Sequence, residues 1–283
     1  MQHNTLSYFF IFIAENSFKL CDSKQEGKMI YIDAFITPYF PETEAQFDRS
    51  NVVLIDVLRA CTTICTALEN GALEIIPAES LEKAINKYSF LDKEKTILAG
   101  ERNASKPNGF DLGNSPFEYD EKIVSGKKII FTTTNGTKLF KKAQKSKNRI
   151  IGSLVNIDAV IDFLGQDISD NLDQGKDTKV NFMCAGTDGN FSYEDTLCAG
   201  AFISKMHEMH NNIKITDTAH AALTLYESNK SDLAGFIKTT RHAKKLKELE
   251  HEKDIDFALE FNKFKIVPLI KDQSIIKSET EKT

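Results

Sequence analysis

Apolar runs that end in polar turns and lead into helical patterns recur along this chain. They include residues 51–55 (NVVLI), 127–131 (KKIIF) and 180–183 (VNFM). Alternation of strands with helices predicts an α/β fold with a largely parallel or mixed sheet. The runs are apolar throughout rather than alternating in polarity, which is typical of strands covered on both faces. We therefore expect a three-layer α/β/α architecture.

Two strand–turn–helix units, at residues 52–68 and 129–143, are alike in form, which leaves open an arrangement in two similar lobes. Residues 215–260 carry helical patterns and predict a helical C-terminal region. A last apolar run at residues 265–269 (KIVPL) predicts a closing strand. The charged residues 271–283 that follow are expected to form a frayed tail.

Near the N-terminus, residues 8–14 (YFFIFIA) form an apolar run that is far too short to cross a bilayer. No basic segment precedes it and no small-residue cleavage site follows it, so a signal peptide is poorly supported. Met29 opens a second, strand-like run, MIYIDAF. We interpret residues 1–28 as an extension upstream of the folded domain, with Met29 as an alternative start.

Charge and cysteine content narrow the range of partners and compartments. The formal net charge is −5, and the lysine-rich stretches at residues 141–149 and 241–253 follow helical spacing or alternate with acids. We interpret both stretches as solvated helix faces, so nothing indicates a nucleic-acid partner. Five cysteines without a CxxC pair predict reduced thiols in a cytoplasm. No membrane partner is expected, and a homo-oligomer stays open.

Clusters of polar and charged residues follow four of the predicted strands. In open α/β sheets, ligands bind outside the carboxyl ends of the strands. If these strands are parallel, the four clusters face one crevice. The clusters are Asp56, Arg59, Thr62 and Thr63; Glu101 and Arg102; residues 132–137 (TTTNGT); and residues 184–189 (CAGTDG) with Glu194 and Asp195.

A long polar loop, residues 100–116 (GERNASKPNGFDLGNSP), follows the apolar run at residues 96–99. Long loops inside compact domains are uncommon and are usually functional or disordered. We expect this loop, with its Asn114 and Ser115, to form one wall of the crevice.

Each cluster also has a structural interpretation. Asp56 could cap a turn or a helix, the TTTNGT run could be a turn before a helix, and Glu194 with Asp195 could complement a helix dipole. Together, however, the clusters combine carboxylates that suit Mg²⁺, arginines that suit phosphate and turns whose N–H groups bind anion oxygens. The combination predicts a Mg²⁺ ion and a small anionic phosphorylated substrate.

Three other phosphate-handling classes do not match. A haloacid-dehalogenase phosphatase needs an aspartate two residues after Asp56, where the chain has Leu58. A cysteine phosphatase needs a short loop that ends in arginine after its cysteine, which Cys184 lacks, and no GKS or GKT run of a P-loop is present. His207 and His210 lie three residues apart on a predicted helix, but no third metal ligand accompanies them.

The chain resembles the 2-phosphosulfolactate phosphatase (ComB) family from Met29 to about residue 270. GFDLGNSP and TTTNGT, in this order and spacing, are specific to that family. The resemblance implies that residues 29–270 are one α/β phosphatase domain. It is carried by residues 52–72, 99–119, 126–140, 184–202 and 241–269.

The resemblance implies a Mg²⁺-dependent hydrolase that converts 2-phospho-3-sulfolactate to 3-sulfolactate and phosphate, on the route to coenzyme M. Asn103–Ala104 and Cys61 depart from the usual family pattern beside the expected site, which bears on the substrate more than on the reaction type. Two alternatives stay open. One is a phosphatase for another small phosphorylated hydroxy acid, such as phospholactate or phosphoglycolate. The other is a protein that binds phosphorylated metabolites without turnover.

Roles for the acidic residues follow from this chemistry. Asp56 is expected to bind Mg²⁺ or to activate the nucleophile, which is a water molecule unless Asp56 itself is phosphorylated. Glu194 and Asp195 are expected to be metal ligands or the general base. Glu101 is a further catalytic acid in this scheme.

Roles for the other residues follow in the same way. Arg59 and Arg102 are expected to clamp the phosphate and the sulfonate, in an order that the sequence does not assign. Hydrogen-bond donors to the substrate oxygens are expected at Thr62, Thr63, Asn114, Ser115, Thr132, Thr133, Thr134, Asn135, Gly136 and Gly186.

Overall fold

A ten-stranded mixed sheet is the centre of the computed structural model, which describes residues 28–38 and 44–278. Across the sheet the strand order is β4-β5-β3-β10-β9-β6-β2-β7-β1-β8. The strands are β1 Ile30–Phe35, β2 Asn51–Ile55, β3 Glu74–Pro77, β4 Thr96–Gly100, β5 Lys128–Thr132, β6 Asn148–Gly152, β7 Thr178–Cys184, β8 Ile213–Ile215, β9 Pro268–Lys271 and β10 Ser274–Lys277.

The sheet consists of two parallel groups joined by a hairpin. Strands β3, β4 and β5 are parallel to one another, as are β1, β2, β6, β7 and β8. The β9–β10 hairpin is antiparallel to β6 on one side and to β3 on the other. The two parallel groups therefore run in opposite directions along the sheet.

Helices cover both faces, which confirms the predicted three-layer α/β/α class and the helical C-terminal region. The helices are α1 Ala60–Glu69, α2 Leu81–Ser89, α3 Glu121–Val124, α4 Gly136–Leu139, α5 Ile157–Asp173, α6 Tyr193–Met209, α7 Asp217–Asn229, α8 Leu233–Lys238, α9 Arg241–Glu248 and α10 Glu252–Ala258. Short 3₁₀ helices lie at Glu44–Phe47, Pro116–Glu118, Leu154–Asn156 and Lys230–Asp232.

Helix α1 links the two strand groups. Its residues from Ala60 to Leu68 are all buried, and they share one core with side chains of β2 and β6 and of β3, β4 and β5. On the opposite face, α5 and α6 pack on the larger group, while α2 packs on β4 and β5.

The mixed sheet agrees with the predicted class, but the strands that carry the four polar clusters are not all parallel. Parallel strands would present the four clusters at one edge, whereas β4 and β5 run opposite to β2 and β7. Sheet twist is about 20–25° per strand, so the five steps from β5 to β2 add up to roughly 100–125° and turn the two groups toward each other. The clusters still converge, for this geometric reason.

Several boundaries also differ from expectation. The tail beyond residue 270 does not fray at Ser274–Lys277, which pairs with β9 and β3. The helix of the strand–turn–helix unit expected at residues 129–143 ends at Leu139, and Ala143 lies beyond it with a φ of 56°. The extension proposed for residues 1–28 lies outside the described residues except for Lys28. In the described ranges, no helix is long and apolar enough to cross a membrane.

Candidate active site

A cleft opens where the loops after β2, β4, β5 and β7 meet helix α9. The space between its walls is about 370 Å³, and this figure includes open solvent. Its lining mixes acids, bases and neutral polar groups. The lining residues are Asp56, Leu58, Arg59, Glu101, Asn103, Ala104, Asn114, Thr133, Thr134, Asn135, Asp188, His242 and Lys245.

Asp56 is the first residue after β2 and is buried at the base of the cleft. One carboxylate oxygen, Oδ1, accepts a hydrogen bond from the Ala60 N–H at 3.2 Å. The other, Oδ2, lies beside Gly136, where a Cβ atom would be only 2.9 Å from it. Burial raises the pKa of Asp56 to about 7; the charges of Glu101 and Glu194 add to the shift, and the Ala60 N–H and Arg59 oppose it.

Asp195 joins the ends of two strands to the start of α6. Its Oδ1 accepts from the Val57 N–H at 2.9 Å and its Oδ2 from the Gly186 N–H at 3.0 Å. Ser192 caps the helix by accepting from the Asp195 N–H at 3.2 Å. Burial, with the charge of Asp56, raises the pKa of Asp195 well above its usual value. This geometry makes Asp195 a positioning residue.

Glu194 precedes it and is only 2% exposed. No residue within 28–38 or 44–278 donates a hydrogen bond to its carboxylate. Its negative charge raises the pKa of both Asp56 and Asp195, so the three carboxylates lie near one another. Buried like charges repel in the absence of a proton or a cation.

Glu101 connects the loops that follow β4 and β5. Its Oε2 accepts from the Ala104 N–H and its Oε1 from the Thr134 N–H, both at 2.7 Å. Arg102 donates to the Thr132 hydroxyl at 2.8 Å and to the Glu101 carbonyl at 2.6 Å, and does not line the cleft. Both residues therefore hold this wall of the cleft in shape.

Arg59 lines the cleft, and its guanidinium group already has hydrogen-bond partners. Its Nη1 donates to Asp254 Oδ2 at 2.6 Å, and its Nη2 to the Ala104 carbonyl at 2.8 Å. Ser115 donates its hydroxyl to the other oxygen of Asp254 at 2.6 Å. Asp254 thus fixes both the arginine and the GFDLGNSP loop.

The structure divides the predicted substrate-binding residues into two sets. Asn114, Thr133, Thr134 and Asn135 line the cleft. The others form its walls. Their hydrogen bonds go to neighbouring loops, or, for a glycine, the missing side chain lets a neighbouring residue come close. These are Thr62 to the Val57 carbonyl, Thr63 to the Asn114 carbonyl, Ser115 to Asp254, Thr132 to Arg102, Gly136 beside Asp56, and Gly186 to Asp195.

Asp188, from the 184–189 cluster expected at the crevice, lines the cleft. Three further titratable residues of the site were not predicted: His242, Lys245 and Asp254. The expectation that residues 241–253 form a solvated helix face is wrong for His242 and Lys245, which line the cleft. Asp254, the residue directly after that stretch, is buried. A signal was present in the sequence, because Ala243 and Leu246 are apolar and three positions apart in this charged stretch. In the structure both are buried on the inner face of α9, and His242 and Lys245 lie beside them.

His242 has a defined hydrogen-bonding state. Its Nε2 lies 2.8 Å from the Leu58 carbonyl, which can only accept, so the hydrogen is on Nε2. Nδ1 is buried and has no partner within the described ranges. Burial lowers the pKa of His242, helped by the charges of Arg59 and Lys245 and opposed by Glu194 and the Leu58 carbonyl.

Two of the three neighbouring carboxylates suit a Mg²⁺ ion. The residues in 28–38 and 44–278 contain no group of three or more His, Cys, Asp or Glu side chains arranged to hold a metal. Mg²⁺ needs fewer protein ligands, usually one or two carboxylates with waters and a substrate phosphate. Asp56 Oδ2 and Glu194 have free oxygens that fit this need, while both oxygens of Asp195 are engaged. Metal binding by the three acids stays a prediction.

Comparison with known proteins shows the family of this chain. Residues 37–273 match the family model described as 2-phosphosulpholactate phosphatase. The chain is 42% identical over 231 residues to a Caldanaerobacter subterraneus subsp. tengcongensis protein (82% of this chain, 92% of the relative) and 41% identical over 248 residues to a Thermotoga maritima protein (88% and 99%). Both relatives are named probable 2-phosphosulfolactate phosphatase. The chain belongs to the 2-phosphosulfolactate phosphatase family, a family of phosphoric monoester hydrolases.

Proposed function

We propose that this protein hydrolyses 2-phospho-3-sulfolactate to 3-sulfolactate and phosphate, in a Mg²⁺-dependent reaction of the coenzyme M type of pathway. The observation that carries the proposal is the position of Asp56. One of its oxygens accepts no hydrogen bond from the part of the chain that the structure describes, and it lies in a polar cleft that Arg59 and residues 133–135 also line. The names of the relatives support the same substrate.

In this proposal, the protein acts mainly by positioning and by charge. Phosphoryl transfer needs charge stabilisation on the equatorial oxygens and an in-line nucleophile. Arg59 supplies positive charge, while Thr133, Thr134 and Asn135 supply hydroxyl and amide donors. A water oxygen forms the new bond to phosphorus, the bond from phosphorus to the ester oxygen breaks, and that oxygen takes up a proton.

Asp56 contributes to this proposal in two ways. Because burial raises its pKa to about 7, it can take up or release a proton near neutral pH. Its free oxygen, with Glu194, would also hold Mg²⁺. When bound, that ion would supply charge neutralisation at the phosphate.

Phosphate release from a panel of small phosphorylated acids tests the proposal, with Mg²⁺ and with EDTA. We expect metal-dependent release, strongest from phosphosulfolactate. Asp56→Asn should lose far more activity than His207→Ala, which lies in the exposed last turn of α6. Release only from phospholactate or phosphoglycolate would change the substrate. Equal activity of the two variants would contradict the role of Asp56, and tight binding without release would favour a binding protein.

A further inference from the structure

Lys245 is a partly buried cation that lines the cleft. No ion pair joins it to an acid within residues 28–38 and 44–278. Arg59, in contrast, pairs with Asp254 at 2.6 Å, and in the proposed function it serves the phosphate. Arg102, the other arginine predicted to bind substrate, does not line the cleft.

Helix α9 is fixed so that Lys245 stays at the cleft. His242 and Lys245 are three residues apart and therefore share one face of the helix. The Nε2 atom of His242 lies 2.8 Å from the Leu58 carbonyl, which anchors this face to the loop after β2. Ala243 and Leu246 are buried on the adjoining face. The position of Lys245 is thus set by packing and by a hydrogen bond, and not by a partner charge.

The chemistry of the proposed substrate requires such a cation. A substrate that carries a sulfonate or a carboxylate besides its phosphate brings a second anion into the cleft. A desolvated anion needs a charged or hydrogen-bonding partner, and the cleft already holds the acids Asp56, Glu101 and Asp188. We propose that Lys245 binds the second acid group of the substrate and so determines specificity, an inference that rests on the proposed phosphatase function.

Steady-state kinetics of Lys245→Ala test this role, with Lys244→Ala as the matched control. Lys244 is the neighbouring residue on α9 and is exposed. We expect KM for phosphosulfolactate to rise about 10- to 100-fold in Lys245→Ala, the loss of one charge-assisted contact. The kcat should change little, because the contact is made equally in the ground state and the transition state. Lys245→Arg should recover most of the affinity, and Lys244→Ala should behave like the unsubstituted protein.

Truncated substrates identify the acid group. If Lys245 binds the sulfonate, its substitution leaves KM for phospholactate unchanged. If it binds the carboxylate, the effect persists with phospholactate and disappears with 2-(phosphonooxy)propane-1-sulfonate, which lacks the carboxylate. A penalty of equal size with isopropyl phosphate, which lacks both groups, would overturn the proposal, as would equal KM values for Lys245→Ala and Lys244→Ala.

Binding of 3-sulfolactate, measured by calorimetry, separates this inference from the proposed reaction. If the unsubstituted protein releases phosphate but Lys245→Ala matches Lys244→Ala, the role of Lys245 fails alone. If no compound is hydrolysed, weaker sulfolactate binding by Lys245→Ala still supports the subsite. Equal binding by the two variants, or no binding by the unsubstituted protein, overturns it.

Discussion

Arg59 and Asp254 are 195 positions apart in the sequence, and their side chains form an ion pair of 2.6 Å behind the cleft. Their side chains are only 3% and 4% exposed. Asp254 lies on α10, so this contact joins the C-terminal helices to the loop before α1. The same carboxylate accepts the Ser115 hydroxyl at 2.6 Å. The C-terminal helical region is therefore part of the site and not only a cover for the sheet.

Removal of Asp254 should destabilise the protein strongly. Asp254→Ala leaves the Arg59 guanidinium buried without its counter-charge, which costs about 3–5 kcal/mol in comparable pairs. Glu252→Gln is the control, because the Lys247–Glu252 pair is exposed and such pairs contribute about 1 kcal/mol or less. Urea unfolding measures both free energies. Similar values for the two variants would show that the buried pair contributes no more than a surface pair.

Gly136→Ala should impair catalysis by steric conflict at Asp56. A Cβ at this position would lie 2.9 Å from Asp56 Oδ2 and 2.9 Å from Ala60 Cβ, closer than ordinary contact. One of the two loops must shift, and a displacement of about 1 Å at a reacting group can reduce the rate about 100-fold. Initial rates of phosphate release provide the measurement.

Gly165→Ala is the control for that substitution. Gly165 lies within α5, where an added Cβ would meet only Met209 Cε at 3.6 Å, an ordinary contact distance. Alanine is preferred over glycine in helices by about 0.5–1 kcal/mol, so this variant should be active and slightly more stable. If Gly136→Ala keeps the same activity as Gly165→Ala, the cleft tolerates movement at Asp56.

Glu101→Gln should lower activity because it weakens the contacts that hold two loops of the cleft, and not because it removes a reacting group. Both oxygens of Glu101 accept backbone N–H groups, from Ala104 and Thr134. The glutamine side chain has only one acceptor oxygen, so its NH₂ group faces the second of these backbone N–H groups. An unsatisfied buried donor costs about 1–3 kcal/mol, so we expect kcat/KM to fall about tenfold or more. The control is Glu82→Gln, at an exposed position on α2. Unchanged kinetics in Glu101→Gln would remove the positioning role.

Local patterns predicted much of the fold because each strand–turn–helix unit is encoded within a short segment. Strand β2, the TTTNGT turn and the cap of α6 all follow from neighbouring residues. The opposed strand groups do not, because strand direction across a sheet depends on the β9–β10 hairpin. Strand β10 lies inside the sheet, but only its Ile275 is fully buried. Because it belongs to a charged segment, the sequence did not indicate a strand there.

The site was predictable where residues act from strand ends, and not where tertiary contact changes their role. Asp56 and Thr133 line the cleft as the sequence indicates. Arg102 was predicted as a clamp, but it contacts its own loop and Thr132. Lys245 and Asp254 belong to a charged stretch that resembles any solvated helix, and only long-range packing distinguishes them.

Metal-free protein should lose stability as pH rises toward neutrality, through Asp56. Burial raises the pKa of Asp56 to about 7 in the folded chain, against about 3.9 when unfolded. Between these values the folded state holds the extra proton, so the stabilising contribution is complete below about pH 4 and is lost as pH rises to about 7. The raised pKa of Asp195 acts in the same direction.

Thermal unfolding in EDTA between about pH 5 and pH 8 measures this effect, as the difference in Tm between the unsubstituted protein and Asp56→Asn. Asparagine carries no charge, so the variant should gain relative stability as pH rises across this window. A cation at Asp56 and Glu194 would replace the missing proton, so Mg²⁺ should stabilise the unsubstituted protein most at the upper end of the window. Parallel Tm profiles for the two proteins would mean that Asp56 ionises without a penalty, and that no cation is needed to balance it.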